Sequence, residues 1–226
     1  MKSSQAPVPA ETPEAVAPSC QRSAGRPKAG DVEARTQKLI DTAAALVLAN
    51  GYTRTSLEAI ARGARVAVRT IYVKFGGKAG LLNAVLMSRR DQFFRMRDMD
   101  KDMRPFREVV GDFAHQFFAL LCKEQLIAMQ RVVIAEAPGN PELAETFYSA
   151  GPRLTREMLE RFFARPDIRA QLRVDLPFAQ LPAFLTGWIA GDSVQRFVFP
   201  DAQPPMIEAH RLLDERLEMF FRAVLR

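Results

Sequence analysis

The chain has 226 residues, 48% of them hydrophobic, and a formal net charge of +6. That apolar content suits one large domain, or a small domain joined to a larger one, and excludes a chain that stays unfolded throughout. Two distant cysteines, two histidines and no apolar run of about eighteen residues point away from a disulfide-stapled fold, a metal centre and a membrane span.

The placement of charge says more than its total. Residues 22–90 carry 13 Lys/Arg against 4 Asp/Glu, a net of +9, whereas residues 91–226 are at −2. A basic segment beside a near-neutral one favours a nucleic-acid partner over a generally basic surface.

In chain order, residues 1–30 hold five prolines among Ala, Ser and Thr, and read as a disordered tail. Arg22, Arg26 and Lys28 give it a basic end, which reads equally as a DNA arm or a solvated linker. The start lacks the apolar stretch of a secretory signal, and cysteine usage fits a reducing compartment, so a cytoplasmic location is expected. Every later segment reads as helix. The first spans about 33–50, with Leu39, Ile40, Ala43, Leu46 and Val47 on one stripe, and Asn50-Gly51 ends it. Thr55 and Glu58 are spaced as a capping box opening a second helix, about 55–63. A third covers about 67–74, burying Ile71 with Phe75 beyond its end. Glycines 76, 77 and 80 accompany a fourth, about 78–99.

Longer amphipathic helices are expected over about 105–121, 123–137, 141–164, 176–198 and 205–225. Pro138-Gly139-Asn140-Pro141 reads as a loop with a helix restart, because Pro suits the first helical turn. Pro152 should kink or split the helix it falls in.

Two short helices around a tight break, the second crowded with basic side chains, form a layout that suits the major groove. The residues at these spacings are Gly25-Arg26-Pro27-Lys28, Ile40, Ala43, Ala44, Leu46, Asn50-Gly51-Tyr52, Thr55-Ser56-Leu57, Ile60-Ala61, Ala64, Val66, Thr70-Ile71-Tyr72, Phe75, Lys78 and Leu81-Leu82. Residues 25–86 thereby resemble the DNA-binding domain of the TetR family of bacterial transcriptional regulators. Residues 131–151 and the closing segment 199–205, followed by an amphipathic helix, look like the AefR-type subset of C-terminal domains.

The resemblance implies an all-α protein. A helix-turn-helix DNA-binding domain would cover residues 31–78, and a larger effector-binding and dimerisation domain residues 79–226. It further implies a homodimer on a palindromic double-stranded operator, acting as a repressor released by a small lipophilic or aromatic effector, without cofactor, metal or catalytic residues. A transcriptional activator, or a nonspecific DNA binder of the same fold, is the alternative. An enzyme is the remaining class; the sequence shows no phosphate loop or nucleophile motif, and nothing nearby partners His115 as a base.

Carried onto this chain, the third helix enters the major groove. Arg69 has a fork that fits a guanine edge, and Val68 and Thr70 are placed for thymine methyls or phosphate. Tyr72, Lys74 and Lys78 match phosphate-holding positions, Lys78 at a helix N-terminus. Thr55 and Ser56 sit at another helix N-terminus, and Arg65 adds a cation. The competing reading of the cations is a solvated basic face, and of Tyr72 partial burial.

Three positions depart from the family pattern. Arg65 stands where Gly usually makes the turn, Ala67 where Ser or Thr usually caps the third helix, and Gly77 where Ser usually precedes Lys78. Arg65 therefore implies either a different turn or a tolerated strain.

For the effector pocket the candidates are Phe94, Phe113, Phe117, Met129, Phe147, Tyr148 and Trp188, with His115 and Gln130 as polar handles. Aromatic and Met residues at helical spacing are also what a plain core looks like. For the dimer face the candidates are Leu181, Phe184, Leu185 and Trp188 in one helix, and Leu213, Leu217 and Phe220 in the last.

Overall fold

The computed structural model describes residues 29–93, 99–192, 196, 198–199 and 204–226. The described residues form helices joined by short turns, with no strand among them and a single isolated bridge between Leu172 and Leu225. The helices in chain order are α1 (Ala29–Asn50), α2 (Leu57–Ala64), α3 (Val68–Phe75), α4 (Lys78–Phe93), α5 (Phe106–Leu121) and α6 (Glu124–Glu136). Then come α7 (Pro141–Ala150), α8 (Pro152–Ala164), the single turn α9 (Pro166–Arg169), α10 (Leu181–Ala190) and α11 (Met206–Val224).

Two expected helices are shorter or divided. The one expected over 141–164 is split at Gly151, because Pro152 opens α8 and cannot continue the hydrogen-bonded turn before it. The one expected over 176–198 is interrupted: the 3-10 turn Phe178–Gln180 precedes α10, which ends at Gly191, and Arg196 and Val198 are again helical. The Pro138–Pro141 restart is as expected: Asn140 caps α7 by accepting from the Leu143 backbone N–H at 3.1 Å, and Pro141 takes the first position.

Two apolar cores organise these helices. The first joins α1, α2, α3 and α4 around Leu39, Ile60, Ile71 and Leu81, all at most 2% exposed. Met129 from α6 and Leu143 from α7 complete it. Full burial of each such side chain contributes about 1.5–3 kcal/mol, so these two long-range contacts matter to the small N-terminal helices. The second core joins α5, α8, α10 and α11, with Phe106 stacked on Phe162 and edge-on to Phe221, both at 6.0 Å between centroids.

Candidate nucleic-acid interface and effector cavity

The turn that sets α2 against α3 passes through Arg65 at φ 58° and ψ 46°, the one left-handed non-glycine among the described residues. The Val66 N–H reaches back to the Ala61 carbonyl at 2.9 Å and the Arg65 N–H to Arg62 at 3.2 Å, closing the end of α2. Of the two outcomes that Arg65 allowed, the structure shows the usual turn with the strain tolerated, which costs on the order of 1 kcal/mol. Ala67 begins α3 with no side-chain cap, as its methyl requires.

Thr55 needs a correction. The N-cap of α2 is Ser56, whose hydroxyl accepts from the Ala59 N–H at 3.1 Å; the expected Thr55–Glu58 capping box does not form. Thr55 is buried at 2% exposure, and its hydroxyl donates to the carbonyls of Gly51 at 2.7 Å and Leu46 at 3.1 Å. It therefore seals the end of α1 and turns no hydroxyl toward DNA. Ser56 is exposed and keeps that role open.

α3 buries only Ile71 fully. Arg69, Thr70, Tyr72, Val73 and Lys74 are exposed, and Val68 is half-buried. Tyr72 at 57% exposed does not pack into the core, and Val73 at 78% stands out although its type favours burial. Val73 was missed as a candidate. Its signal is an apolar residue one turn after Arg69, on the outer face of a helix whose inner face Ile71 defines. The Lys74 ammonium donates to the Thr36 hydroxyl of α1.

Lys78 points elsewhere. Its ammonium lies 4.2 Å from the centre of the Tyr52 ring and donates to the Thr53 carbonyl at 3.4 Å. Burial pulls its pKa below the ordinary lysine range, against the opposing charges of Glu136 and Glu142. The same corner holds a contact that sequence reasoning missed. The Glu136 carboxylate, at the end of α6, accepts from the backbone N–H of Tyr52 at 2.9 Å and of Thr53 at 2.7 Å, and from the Thr53 hydroxyl at 2.6 Å. Burial acts to raise its pKa, but these hydrogen bonds and the Lys78 charge outweigh that and hold it below the usual carboxylate range. Gly51 makes the approach possible: at φ +84°, any Cβ there would strike Glu136. Tyr52 is buried beneath, its phenol pushed up to about 12 by burial, with Glu142 adding to the shift.

A cavity of about 320 Å³ lies where α1 and α4 meet α5, α6, α7, α8 and α10. Of the residues considered for an effector pocket, Phe117, Met129, Gln130, Phe147 and Tyr148 line it. Three other candidates do not. Phe113 is buried in the second core, stacked on Phe117 at 5.5 Å. Trp188 packs edge-on against Phe220 at 6.1 Å. His115 bonds through Nδ1 to His210 Nδ1 at 3.0 Å and through Nε2 to Asp214 at 2.8 Å, so its partners come from α11, a hundred residues on in sequence, rather than from a ligand. Helical spacing marks such residues as inward-facing without saying into which interior. Phe94 lies outside the described residues. Ala44 and Leu48 of α1, Leu126 of α6, and Thr155 of α8 also line the cavity, so its wall includes part of the first core's longest helix.

Two family models cover the arrangement. The model described as "Bacterial regulatory proteins, tetR family" matches residues 39–85, and that of the "AefR-like transcriptional repressor, C-terminal domain" matches residues 108–223, half of the chain by itself. The chain belongs to the TetR family. It is a DNA-binding transcriptional regulator, and regulators of this kind are not enzymes. Among solved structures, a TetR-family regulator from Mesorhizobium loti superposes with a TM-score of 0.68 at 21% identity, over 86% of this chain and 98% of that one. The flavonoid-responsive regulator FrrA gives 0.68 at 24%, over 85% and 98%. NalD, the secondary repressor of the MexAB-OprM multidrug efflux pump in Pseudomonas aeruginosa, gives 0.64 at 24%, over 87% and 99%. At these identities the likeness shows the fold. No curated protein sequence matches the chain.

In this TetR-family subunit the expected dimer face is mostly occupied from within. Leu181, Leu185, Leu213, Leu217 and Phe220 are all at most 3% exposed in the second core, which a single chain completes. Phe184, at 44% exposed, is the expected residue left outside, with Trp188 half-buried; Leu212, Met219 and Ile207 are exposed on α11. α10 is apolar around most of its circumference and α11 carries Ile207, Leu212 and Met219 off its buried stripe, so apolar residue type alone does not separate the inward face from the outward one. No helix of the described residues is long and apolar enough to cross a membrane.

Proposed function

We propose that this TetR-family regulator binds a palindromic operator as a two-fold homodimer, represses transcription there, and lets go when a small lipophilic or aromatic molecule enters the cavity. The observation that carries the reading is the outer face of α3: a helix that buries only Ile71 fully, with Val68 and Phe75 partly packed, and leaves a cation fork, a hydroxyl, an aromatic ring and a valine exposed side by side. Arg69 takes a guanine edge, Thr70, Val68 and Val73 meet thymine methyls or phosphate, and Tyr72, Lys74, Ser56 and Arg65 meet phosphates. Lys78, engaged with Tyr52 and Glu136, positions the reader instead of binding DNA freely. Such a protein works in the cytoplasm, on the chromosome.

Dimerisation uses Phe184 and Trp188 on α10 with Leu212 and Met219 on α11, and presents two α3 helices to half-sites about 34 Å apart. Release runs along α6, which borders the cavity and holds the reader through Glu136. The names of FrrA, flavonoid-responsive, and of NalD, a repressor, accord with a ligand-responsive repressor on this fold. Sedimentation of the protein on its selected operator tests the assembly. Two chains, or an even number, per duplex is the expected result; a complex holding one chain per duplex overturns it.

A further inference from the structure

The cavity wall contains a polar group that the protein itself leaves unsatisfied. Gln130 borders the cavity, and its amide oxygen is buried with no hydrogen-bond partner among the described residues. An acceptor in that state is disfavoured relative to one that is bonded, and native interiors rarely keep one without a use. A half-turn about χ3 exchanges the two ends of the amide, so a group arriving at this wall can be met by either the acceptor oxygen or the donor NH2.

Of the other polar side chains around the wall, Thr155 is buried and Gln125 is exposed, and the rest are engaged or lie at its edge. The Thr186 hydroxyl donates to the carbonyls of Pro182 and Ala183, both at 3.0 Å. Tyr148 is 42% exposed, with the Arg153 guanidinium 5.2 Å from its ring centre. Arg156 and Lys123 are exposed, and Arg156 is paired with Glu160 at 3.1 Å. No charged side chain of the lining is buried, so an ionised ligand drawn inside would lose its hydration without gaining a counter-charge. The volume is roughly twice that of a cavity known to hold one benzene, about 150 Å³.

We propose that the cavity takes a neutral, mostly apolar ligand of about two fused rings, whose hydroxyl or amide group bonds to the side chain of Gln130. This rests on the reading of the cavity as the effector site. Gln130 lies six residues before Glu136 on α6, about 9 Å along the helix, so the bond forms on the element that grips the reader.

Isothermal titration of the full-length protein near pH 7 with naphthalene, 2-naphthol and 2-naphthoate tests this. Wild-type protein should bind 2-naphthol roughly tenfold more tightly than naphthalene, and naphthoate most weakly. In Gln130→Met, of similar length but without the amide, the advantage of 2-naphthol should disappear. Gln130→Leu gives a second variant, and a ratio of two ligands on one protein is unaffected by a loss of folded material. An advantage that survives both substitutions, equal wild-type binding of naphthol and naphthalene, or tightest binding of naphthoate overturns the role of Gln130 while leaving the effector site standing. Wild-type protein that binds none of the three overturns the effector-site reading as well.

Discussion

α3 and α11 are both amphipathic, and their difference separates the two ends of this molecule. α11 buries six residues along one stripe, including Leu213, Leu217 and Phe220, and takes its place by packing. α3 buries Ile71 alone and is placed by its neighbours: the strained turn at Arg65, the seal made by Thr55, and the glycine-permitted contact between α4 and the end of α3 at Gly80, where any Cβ would strike the Phe75 carbonyl. A helix held this way keeps most of its surface for a partner. A helix held by its own stripe offers a partner only the residues left over, such as Leu212 and Met219.

The largest effect should come from removing a packing contact that bridges the ends. Leu143→Ala in α7 lies outside the matched N-terminal segment yet inside the first core. Chemical denaturation should show a loss of about 2–5 kcal/mol, with the reader losing its structure together with the rest. A loss confined to the C-terminal helices, with α1–α3 unaffected, breaks the comparison.

Next in size is Arg69→Ala, expected to cost about 1–3 kcal/mol on the cognate operator and to relax preference at one base pair. Lys74→Ala should instead weaken cognate and scrambled DNA alike and lower the salt slope by about one. Fluorescence anisotropy across a salt series separates them; identical behaviour of the two variants refutes the division of labour on α3.

Glu136→Gln should destabilise the protein by about 1 kcal/mol near neutral pH, since the amide keeps one acceptor and loses the charge. The sign with pH follows from its lowered pKa. The contribution of this carboxylate is complete above the unfolded value of about 4.3, and fades as pH falls through the lower native value. Wild-type and Glu136→Gln melting temperatures should therefore converge as pH drops below about 4. A gap that persists there assigns the effect to something other than the carboxylate.

The smallest effects are local. Ala67→Ser restores an N-cap to α3, and should add about 1 kcal/mol of stability. Arg65→Gly relieves the left-handed turn by a similar amount, while removing a cation from the DNA side. Thermal melts with operator titrations read both.

What was legible in the sequence follows the same division. Asn50-Gly51, Ile60, Ile71 and Phe75 lie in one short stretch of sequence, so local spacing marked the helices, and the family resemblance gave α3 its role. Even there the cap fell one residue away, at Ser56, because two adjacent hydroxyl residues offer the same signal and only packing turned Thr55 inward. The Glu136 contact joins residues 83 and 84 positions apart, and no local pattern marks it. The cavity was half legible. Phe117, Met129, Gln130, Phe147 and Tyr148 were singled out as large or polar residues on inward faces, but so were Phe113 and Trp188, which face the second core. A stripe shows that a side chain is inward, and only the tertiary arrangement shows which interior receives it.

Selection of bound fragments from a random DNA pool by the full-length protein tests the central claim most directly. The account predicts an enriched palindrome whose half-sites are centred about one helical turn apart or a multiple of it, with a guanine in each half-site whose preference is lost in Arg69→Ala. No enriched sequence, or an enriched site without two-fold symmetry, would contradict it.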